Sequence, residues 1–250
     1  MDYHIHSTNS KDARSTIFDM CKKAVEMDIA EVGFSEHVDF EPKDWGFGYF
    51  NYDKYSSEIN DARELFKKKL VIRKGIEIDY QYCFEDEIAE WLQNKEFDFV
   101  IGSVHYLNHE IINQQLVMNE DLGKIYNAYF GEVSHSIKSS LFDVIGHFDL
   151  VKNFIDERRS NLKSGYVEGV GKILEQVIEN NVYLEINSKA LRYNGDLAPN
   201  KEIIKAYFEA GGKLISVGSD AHSKEDIGSK IKNILTFLEK QKKGYKLLFE

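Results

Sequence analysis

The sequence predicts an α/β fold in which a parallel β-sheet is covered by helices. Seven short, apolar, strand-like runs alternate with seven longer segments that have the apolar spacing of helices. Such alternation favours parallel strands joined by crossover helices. Seven units could close into a barrel or stay open as a doubly wound sheet, and periodicity alone does not choose between these two architectures.

The predicted elements follow one another without a long linker. The strands are predicted at Tyr3–Ile5, Glu31–Ser35, Leu70–Ile78, Phe97–Ser103, Val144–Gly146, Val182–Ile186 and Lys213–Gly218. The helices are predicted at Thr16–Met27, Tyr52–Lys68, Phe84–Gln93, Leu122–Leu141, Ser164–Asn180, Lys201–Glu209 and Lys224–Lys240. Because α/β barrels commonly fill 250 residues as one unit, we expect residues 1–250 to form a single domain.

Charge and composition exclude several classes of protein. The formal net charge is −10 and no basic stripe is visible, which argues against a nucleic-acid partner. An acidic chain can still bind a phosphorylated molecule if metal cations reverse the local field. Neither a signal peptide nor an apolar run of about 18 residues, the length that spans a bilayer, is present. The two cysteines, Cys21 and Cys83, have no CxxC spacing, so we expect a cytoplasmic protein without disulfides.

Histidines are concentrated where the predicted strands end. Six of the eight lie at or just beyond a strand, and the carboxyl edge of an α/β sheet is where ligands bind. One histidine at this edge is commonly only a hydrogen-bonded rim residue, but six from different strands indicate a shared site. The six are His4, His6, His37, His105, His147 and His222.

Carboxylates accompany these histidines and complete a set of metal ligands. His4 and His6 are two residues apart, so both can face one side of a strand. Glu77 lies within "GIEIDY", and Asp220 and His222 lie within "GSDAH". Histidines and carboxylates without cysteine suit Zn, Mn or Fe. Because the ligands are too many for one ion, the set predicts a multinuclear site, which is typical of phosphate-ester hydrolysis.

Two histidines do not fit this pattern. His109 lies in a polar stretch beyond "SVHYLNH", and His135 lies inside a predicted long helix. We interpret both as surface or helix-rim residues.

The motifs together resemble the polymerase-and-histidinol-phosphatase (PHP) superfamily. They are "DYHIHS" at the start, "SEH" at 35–37, "GIEIDY" at 75–80, "GSVHY" at 102–106, "GHFDLV" at 146–151 and "GSDAH" at 218–222. The segment "GIEIDY…FEDEI" and "LEINSKALR" at 184–192 resemble more narrowly the monofunctional histidinol-phosphate phosphatases. The resemblance extends from Asp2 to about Ile227.

This resemblance implies a distorted, TIM-like (β/α)7 barrel with three divalent metal ions. By analogy, one ion would be held by His4, His6, Glu77 and Asp220. A second would be held by Glu77, His105 and His147, with Glu77 as the bridge. The third would be held by Asp12, His37 and His222. Asp12 is also read easily as an ordinary turn residue, since it lies in a polar loop.

The substrate side of the site is less strongly specified. Arg192 in "NSKALR" matches a family arginine that could grip phosphate, and Lys189 and Lys152 are alternatives. Some relatives place arginines where this chain has Asn153 and Lys189, so the identity of the clamp stays open. The aromatic segment "WGFGYFNYDKY" at 45–55 is interpreted either as a lid around the substrate or as a cluster that covers the barrel.

The reaction that follows is hydrolysis of a small phosphate monoester. Metal coordination lowers the pKa of water into the neutral range and so supplies the nucleophile, and cations balance the charge on the phosphoryl group. Asp220 and His222 are both candidates to protonate the leaving alkoxide. The resemblance implies that L-histidinol phosphate is converted into L-histidinol and phosphate, in histidine biosynthesis. The alternatives are another phosphoesterase, acting on phosphotyrosine or a nucleotide, and a non-catalytic metal-binding barrel; the oligomeric state stays open.

Overall fold

All seven predicted strands are present in the structure, a computed structural model that describes residues 1–155, 163–193, 195–241 and 243–250. They are β1 (Asp2–Ile5), β2 (Glu31–Asp39), β3 (Val71–Asp79), β4 (Phe99–Ser103), β7 (Val144–Ile145), β8 (Tyr183–Asn187) and β9 (Leu214–Gly218). Three two-residue strands were not predicted: β5 (Tyr106–Leu107) and β6 (Glu110–Ile111) form a hairpin, and β10 (Lys246–Leu247) lies near the C-terminus.

The sheet curls into a barrel that closes at its carboxyl edge. Its strand order is β1-β2-β3-β4-β7-β8-β9-β10, and every neighbouring pair is parallel. Ile5 also forms a parallel bridge with Ala221, just beyond β9. The His6 N–H donates to the Ala221 carbonyl at 2.8 Å, and the Asp220 N–H donates to the His4 carbonyl at 2.7 Å. These bonds join the end of β1 to the end of β9, so the seven strands form a barrel and not an open sheet.

Helices surround the strands in the predicted order, except that the short α4 was not predicted. They are α1 (Ile17–Glu26), α2 (Tyr52–Phe66), α3 (Glu85–Leu92), α4 (Gln114–Asn119), α5 (Leu122–Lys138), α6 (Lys163–Glu179), α7 (Lys201–Glu209) and α8 (Ile231–Lys240). Side chains cap several amino ends; Thr16, for example, accepts from the Asp19 N–H, and Asn200 accepts from the N–H groups of Glu202 and Ile203. The caps explain why these helices begin close to their predicted positions.

The prediction was wrong at the start of the last helix and at the end of β2. Residues 224–230 form turns instead of helix, because Gly228 and Lys230 adopt left-handed φ angles of 68° and 61°. The strand predicted to end at Ser35 continues to Asp39, since its polar residues remain fully paired with β3. Among the described residues, no helix is long and apolar enough to cross a membrane.

Aromatic rings fill the amino end of the barrel. The Phe99 ring packs 6.5 Å from Tyr3 and 5.8 Å from Phe249, centroid to centroid. It also occupies the space above Gly75, where an added Cβ would lie 2.3 Å from the ring. With this end filled, the carboxyl ends of the strands are the open side of the barrel.

Candidate metal centre

Glu77 lies at the centre of the predicted ligands. It is on β3, opposite His37 on β2, and only 1% of it is exposed. Its Oε2 atom lies 3.1 Å from His4 Nε2, 3.1 Å from His37 Nδ1 and 3.5 Å from His6 Nε2. Its Oε1 atom lies 3.1 Å from His147 Nε2 and 4.0 Å from His105 Nε2. The two oxygens therefore face different histidines, as a bridging carboxylate requires.

The remaining predicted ligands extend this cluster on one side. Asp220 Oδ1 lies 3.6 Å from His6 Nε2 and 3.3 Å from His222 Nδ1. Asp12 Oδ2 lies 2.9 Å from His222 Nε2 and 3.7 Å from His37 Nε2. The structure thus brings all nine predicted positions together, including Asp12.

Three groups within the cluster are tight enough to share an ion, because their ligand atoms lie within 4.8 Å of one another. They are His4–His6–Glu77, Glu77–His105–His147 and His6–His37–His222. The second is the family-based assignment of one ion, whereas the first lacks Asp220 of the assigned set. The third contains His6 where the assignment had Asp12, although Asp12 Oδ2 lies 2.9 Å from His222 Nε2 and 3.7 Å from His37 Nε2.

Several buried atoms of the cluster have no hydrogen-bond partner, and this fits a metal site. They include His4 Nε2, His6 Nε2 and Glu77 Oε2, all in residues that are at most 1% exposed. His105 Nε2 and His147 Nε2 lie only 3.1 Å apart and face the same carboxylate oxygen. Because unpaired polar atoms are costly to bury, their convergence points to cations as the missing partners.

Without metal, protons would take the place of those cations. Burial disfavours a charged His37, but the carboxylates of Glu77, Asp12 and Asp39 together raise the pKa of His37 to about 10. Burial likewise opposes ionisation of Glu77, yet His4 and His37 hold the pKa of Glu77 well below its usual value. The carboxylates therefore stabilise positive charge on His37, and a metal ion that binds there must displace its proton. His6 differs, because burial and the neighbouring His37 and His222 lower its pKa well below the usual value.

Buried groups outside the predicted set orient the histidines. Glu185, on β8, accepts from His4 at 2.6 Å between Oε1 and Nδ1, which directs His4 Nε2 towards Glu77. Its other oxygen accepts the His147 N–H at 2.5 Å. Glu185 was not among the predicted site residues, although a glutamate between Leu184 and Ile186 in an apolar strand is a usable signal.

The Ser10 hydroxyl plays a similar part for two other histidines. Its Oγ lies 3.2 Å from His6 Nδ1 and accepts the His37 N–H at 2.9 Å. The hydroxyl donates to Glu36 Oε2 at 2.6 Å, and Glu36 is fully buried. Ser10 and Glu36 thus connect the loop after β1 to β2 next to the predicted metal ligands His6 and His37.

A cavity of about 460 Å³ opens above the cluster. Its base includes His37, His105, His147 and Asp220, and its walls include Trp45, Ile111, Ile112, Phe154 and Tyr193. Trp45 is 60% exposed and belongs to the aromatic segment, so part of that segment does lie at the cavity. Phe50 and Tyr55 pack on the barrel, with their ring centroids 5.4 Å apart, whereas Phe47 and Tyr49 are exposed.

The three candidate substrate cations have different surroundings. Lys189 lines the cavity, with Nζ 2.9 Å from Asp220 Oδ1, and Asn153 lines it as well. Arg192 is not part of the lining; it donates to the Ser219 carbonyl at 2.6 Å and the Asp220 carbonyl at 3.1 Å. Lys152 is also outside the lining, paired with Asp149 at 2.9 Å. The guanidinium of Arg192 is thus held by backbone carbonyls, and its Nε lies 3.7 Å from Asp226 Oδ1.

The contacts of Arg192 fall on a turn that carries two predicted ligands. Asp220 has a left-handed φ of 52°, which is uncommon for a residue with a side chain. The buried Asp2 carboxylate holds the same turn by accepting from Ser219 N at 2.8 Å and Ser219 Oγ at 2.6 Å. Arg192 and Asp2 therefore hold the backbone that presents Asp220 and His222.

The other two histidines lie outside the centre, as predicted. His109 is half-exposed, and its Nδ1 atom lies 2.6 Å from Glu41 Oε2. His135 is exposed on α5, where its ring packs 4.2 Å from Tyr82.

Comparison with known proteins agrees with this architecture. Residues 2–189 match the model of the PHP domain. The chain is 28% identical to the histidinol-phosphatase of Lactococcus lactis subsp. lactis, over 89% of this chain and 84% of that protein. It is also 28% identical to the histidinol-phosphatase of Bacillus subtilis, over 91% and 95% respectively.

A solved structure supports the same fold. The crystal structure of the L. lactis histidinol phosphate phosphatase, complexed with zinc, L-histidinol and phosphate, superimposes with a TM-score of 0.84 at 23% identity. The match covers 99% of this chain and 94% of that one. Since the family model spans most of the chain and the site has the geometry described above, the chain belongs to the PHP family.

Proposed function

We propose that the protein hydrolyses L-histidinol phosphate to L-histidinol and phosphate. The observation that carries the proposal is the convergence of three ligand groups, two of them sharing Glu77, at the base of a cavity with apolar walls. Phosphoesterases use closely spaced metal ions at such a position. The named activity of the relatives supplies the substrate, which combines a phosphate ester with an organic part of a size that such a cavity can hold.

The proposal includes three divalent ions, Zn, Mn or Fe, held by the nine predicted ligands. Bound ions would supply a hydroxide nucleophile near neutral pH and balance the charge of the phosphoryl group. His4, His6, His37, His105, His147 and His222 would provide neutral nitrogen ligands. Glu77, Asp220 and Asp12 would provide the carboxylates. We further propose that residues 1–250 act as one domain, because the strands from β1 to β10 belong to one sheet apart from the small hairpin.

The chain's own groups position the ester and move the proton. Lys189 is the candidate cation in the cavity wall. Its Nζ donates to Asp220 Oδ1 and could donate to a phosphoryl oxygen instead when the ester binds. Asp220 Oδ1 lies 3.3 Å from His222 Nδ1, so a proton can pass between the two residues. Asp220 is the member of this pair that lines the cavity. We therefore assign protonation of the leaving alkoxide to the pair, with Asp220 facing the substrate.

Phosphate release by the purified, Mn- or Zn-loaded chain tests the proposal. L-histidinol phosphate should be hydrolysed with a higher kcat/KM than phosphotyrosine or a nucleoside monophosphate. Preference for phosphotyrosine or the nucleotide would transfer the assignment to another phosphoesterase activity. Failure to release phosphate from any of these esters, with metal bound, would favour the non-catalytic barrel.

A further inference from the structure

Three carboxylates outside the proposed metal ligands lie in the cavity wall. Asp39 and Asp79 are the last residues of β2 and β3 and are direct partners in the parallel ladder. They are two residues beyond His37 and Glu77, so their side chains face the same interior. Asp44, in the loop after β2, lines the same wall. Among the described residues, the groups close enough to share a metal ion include none of the three.

No lysine or arginine in the described part of the chain pairs with these carboxylates. Asp44 accepts from the Tyr106 hydroxyl at 2.6 Å and from the Gly46 N–H at 2.5 Å. Asp79 Oδ1 accepts the His105 N–H at 3.0 Å, but its Oδ2 has no partner, although Asp79 is only 2% exposed. The cavity therefore has a buried acceptor that the protein leaves unpaired, beside two further acidic groups.

The space around Asp39 is closely defined by the aromatic segment. A Cβ added to Gly46 would lie 2.4 Å from Asp39 Oδ2, so the absence of a side chain at this position lets the loop cover that carboxylate. Trp45, beside it, contributes an aromatic wall. A protonated amine suits such a place, because it has three N–H donors for carboxylates and its carbon chain can contact the ring.

The carboxylates lie across the barrel from the candidate phosphate cation. Lys189 follows β8, and in the closed ring three steps separate β8 from both β2 and β3. The cavity thus has Lys189 on one wall and, on the opposite wall, carboxylates that no lysine or arginine of the described residues pairs with, while the predicted metal ligands lie at its base. Lys11 also lines the cavity, but its Nζ donates to the Trp45 carbonyl. This polarity is complementary to a small ester that carries phosphate at one end and positive charge at the other.

We propose that Asp39 and Asp79, supported by the charge of Asp44, form a subsite for a protonated amine on the organic part of the substrate. The inference rests on the proposed phosphatase function and assigns the residues that would recognise the amine of its amino-alcohol ester. Asp39 is the specificity-determining residue that can be changed most safely, because Asp79 also holds the backbone of His105.

A matched pair of esters tests the subsite. L-histidinol phosphate and 3-(imidazol-4-yl)propyl phosphate differ by the amine, and at about pH 8 the imidazole, whose pKa is about 6.5, is mostly neutral in both. The Mn-loaded parent should show a kcat/KM at least about tenfold higher for the amine ester, as expected for loss of a buried charge partner. Asp39→Asn should bring the ratio of the two values to within about threefold of unity. Asp61→Asn, on the exposed face of α2, is the matched control and should keep the parent ratio.

Binding and metal analysis separate the subsite from the metal centre. Calorimetry should show that Asp39→Asn weakens binding of L-histidinol at least about tenfold at unchanged metal content. A parent that hydrolyses both esters equally well would overturn the subsite and leave the phosphatase assignment intact. Loss of metal from Asp39→Asn, or an equal fall of kcat/KM for both esters, would also overturn it. If neither ester releases phosphate, the proposed function and the subsite both fail. The comparison of the two esters in the parent remains a test even if Asp39→Asn does not fold.

Discussion

The two ends of the barrel are similarly buried but opposite in chemistry, since Phe99 at one end and Glu77 at the other are each 1% exposed. At the amino end, the rings of Tyr3, Phe99 and Phe249 fill the space between the strands. At the carboxyl end, Glu77 and four histidines within 3.5 Å of its oxygens occupy the corresponding position. The apolar end is stable without any ligand, whereas the polar end leaves buried atoms without partners. The contrast separates the part that holds the barrel together from the part that we propose performs the chemistry.

Glu77→Ala should produce the largest change, confined to the carboxyl end. Glu77 is proposed to bridge two ions, so its loss should reduce kcat/KM by at least about 10³-fold, roughly 4 kcal/mol, while the circular dichroism spectrum stays that of the parent. Glu64→Gln, on the exposed surface of α2, is the control. Activity within about threefold of the parent, less than 1 kcal/mol, would reduce Glu77 to an ordinary rim carboxylate.

Phe99→Ala, at the amino end, should lower the stability of the fold and leave the metal site unchanged. Removing this ring leaves a cavity beneath Gly33 and Gly75, which should lower the free energy of unfolding by about 3–5 kcal/mol. Metal content and kcat of the folded protein should stay close to those of the parent. Urea unfolding and metal analysis measure the two effects separately. A loss of metal as large as the loss of stability would show that the two ends are not separable.

Lys189→Ala and Arg192→Ala should distinguish a residue that binds the ester from a residue that positions the proposed metal ligands. Lys189 lines the cavity, so its loss should raise KM and lower kcat/KM by about 2–4 kcal/mol at normal metal content. Arg192 holds the Ser219 and Asp220 carbonyls, so its loss should reduce metal occupancy when metal is limiting. Arg192→Lys should restore only part of that, because an ammonium cannot span both carbonyls. If instead Arg192→Ala raises KM at normal metal content and Lys189→Ala lowers metal occupancy, Arg192 would be the residue that binds the phosphate.

Glu185→Gln should give the smallest of these effects. Its carboxylate orients His4 and holds the His147 backbone, so the amide should weaken metal affinity about 10–100-fold without abolishing activity at saturating metal. A competition titration with a chelator measures the change. An affinity equal to that of the parent would mean that packing alone orients His4.

The strands and the candidate ligands could both be predicted because each leaves a local pattern in the sequence. Apolar runs mark buried strands, and histidines such as His105 and His147 are unusual enough at strand ends to be noticed. Two-residue strands such as β10 were not predicted, because two residues show no periodicity. Asp39 and Asp79 were not identified, since an aspartate near the end of a strand is ordinary until the structure shows that no lysine or arginine of the described residues pairs with it.

The direction of a long side chain also could not be predicted from the sequence. Arg192 and Lys189 lie in the same short 3₁₀ helix, yet one holds a backbone turn and the other lines the cavity. The difference depends on which acceptors the fold places nearby, and the Ser219 carbonyl comes from a turn 27 residues further along the chain. Only the three-dimensional arrangement distinguishes a structural cation from one that can reach the substrate.

Metal content is the most direct test of the contrast between the two ends. We expect about three ions per chain, because nine candidate ligand positions are too many for one or two ions. The measurement is elemental analysis of protein that was purified without chelator and reloaded with Mn or Zn. A value near three, which falls in Glu77→Ala and persists in Phe99→Ala, is the predicted result. A value well below two in the reloaded parent would contradict the trinuclear centre on which the account depends.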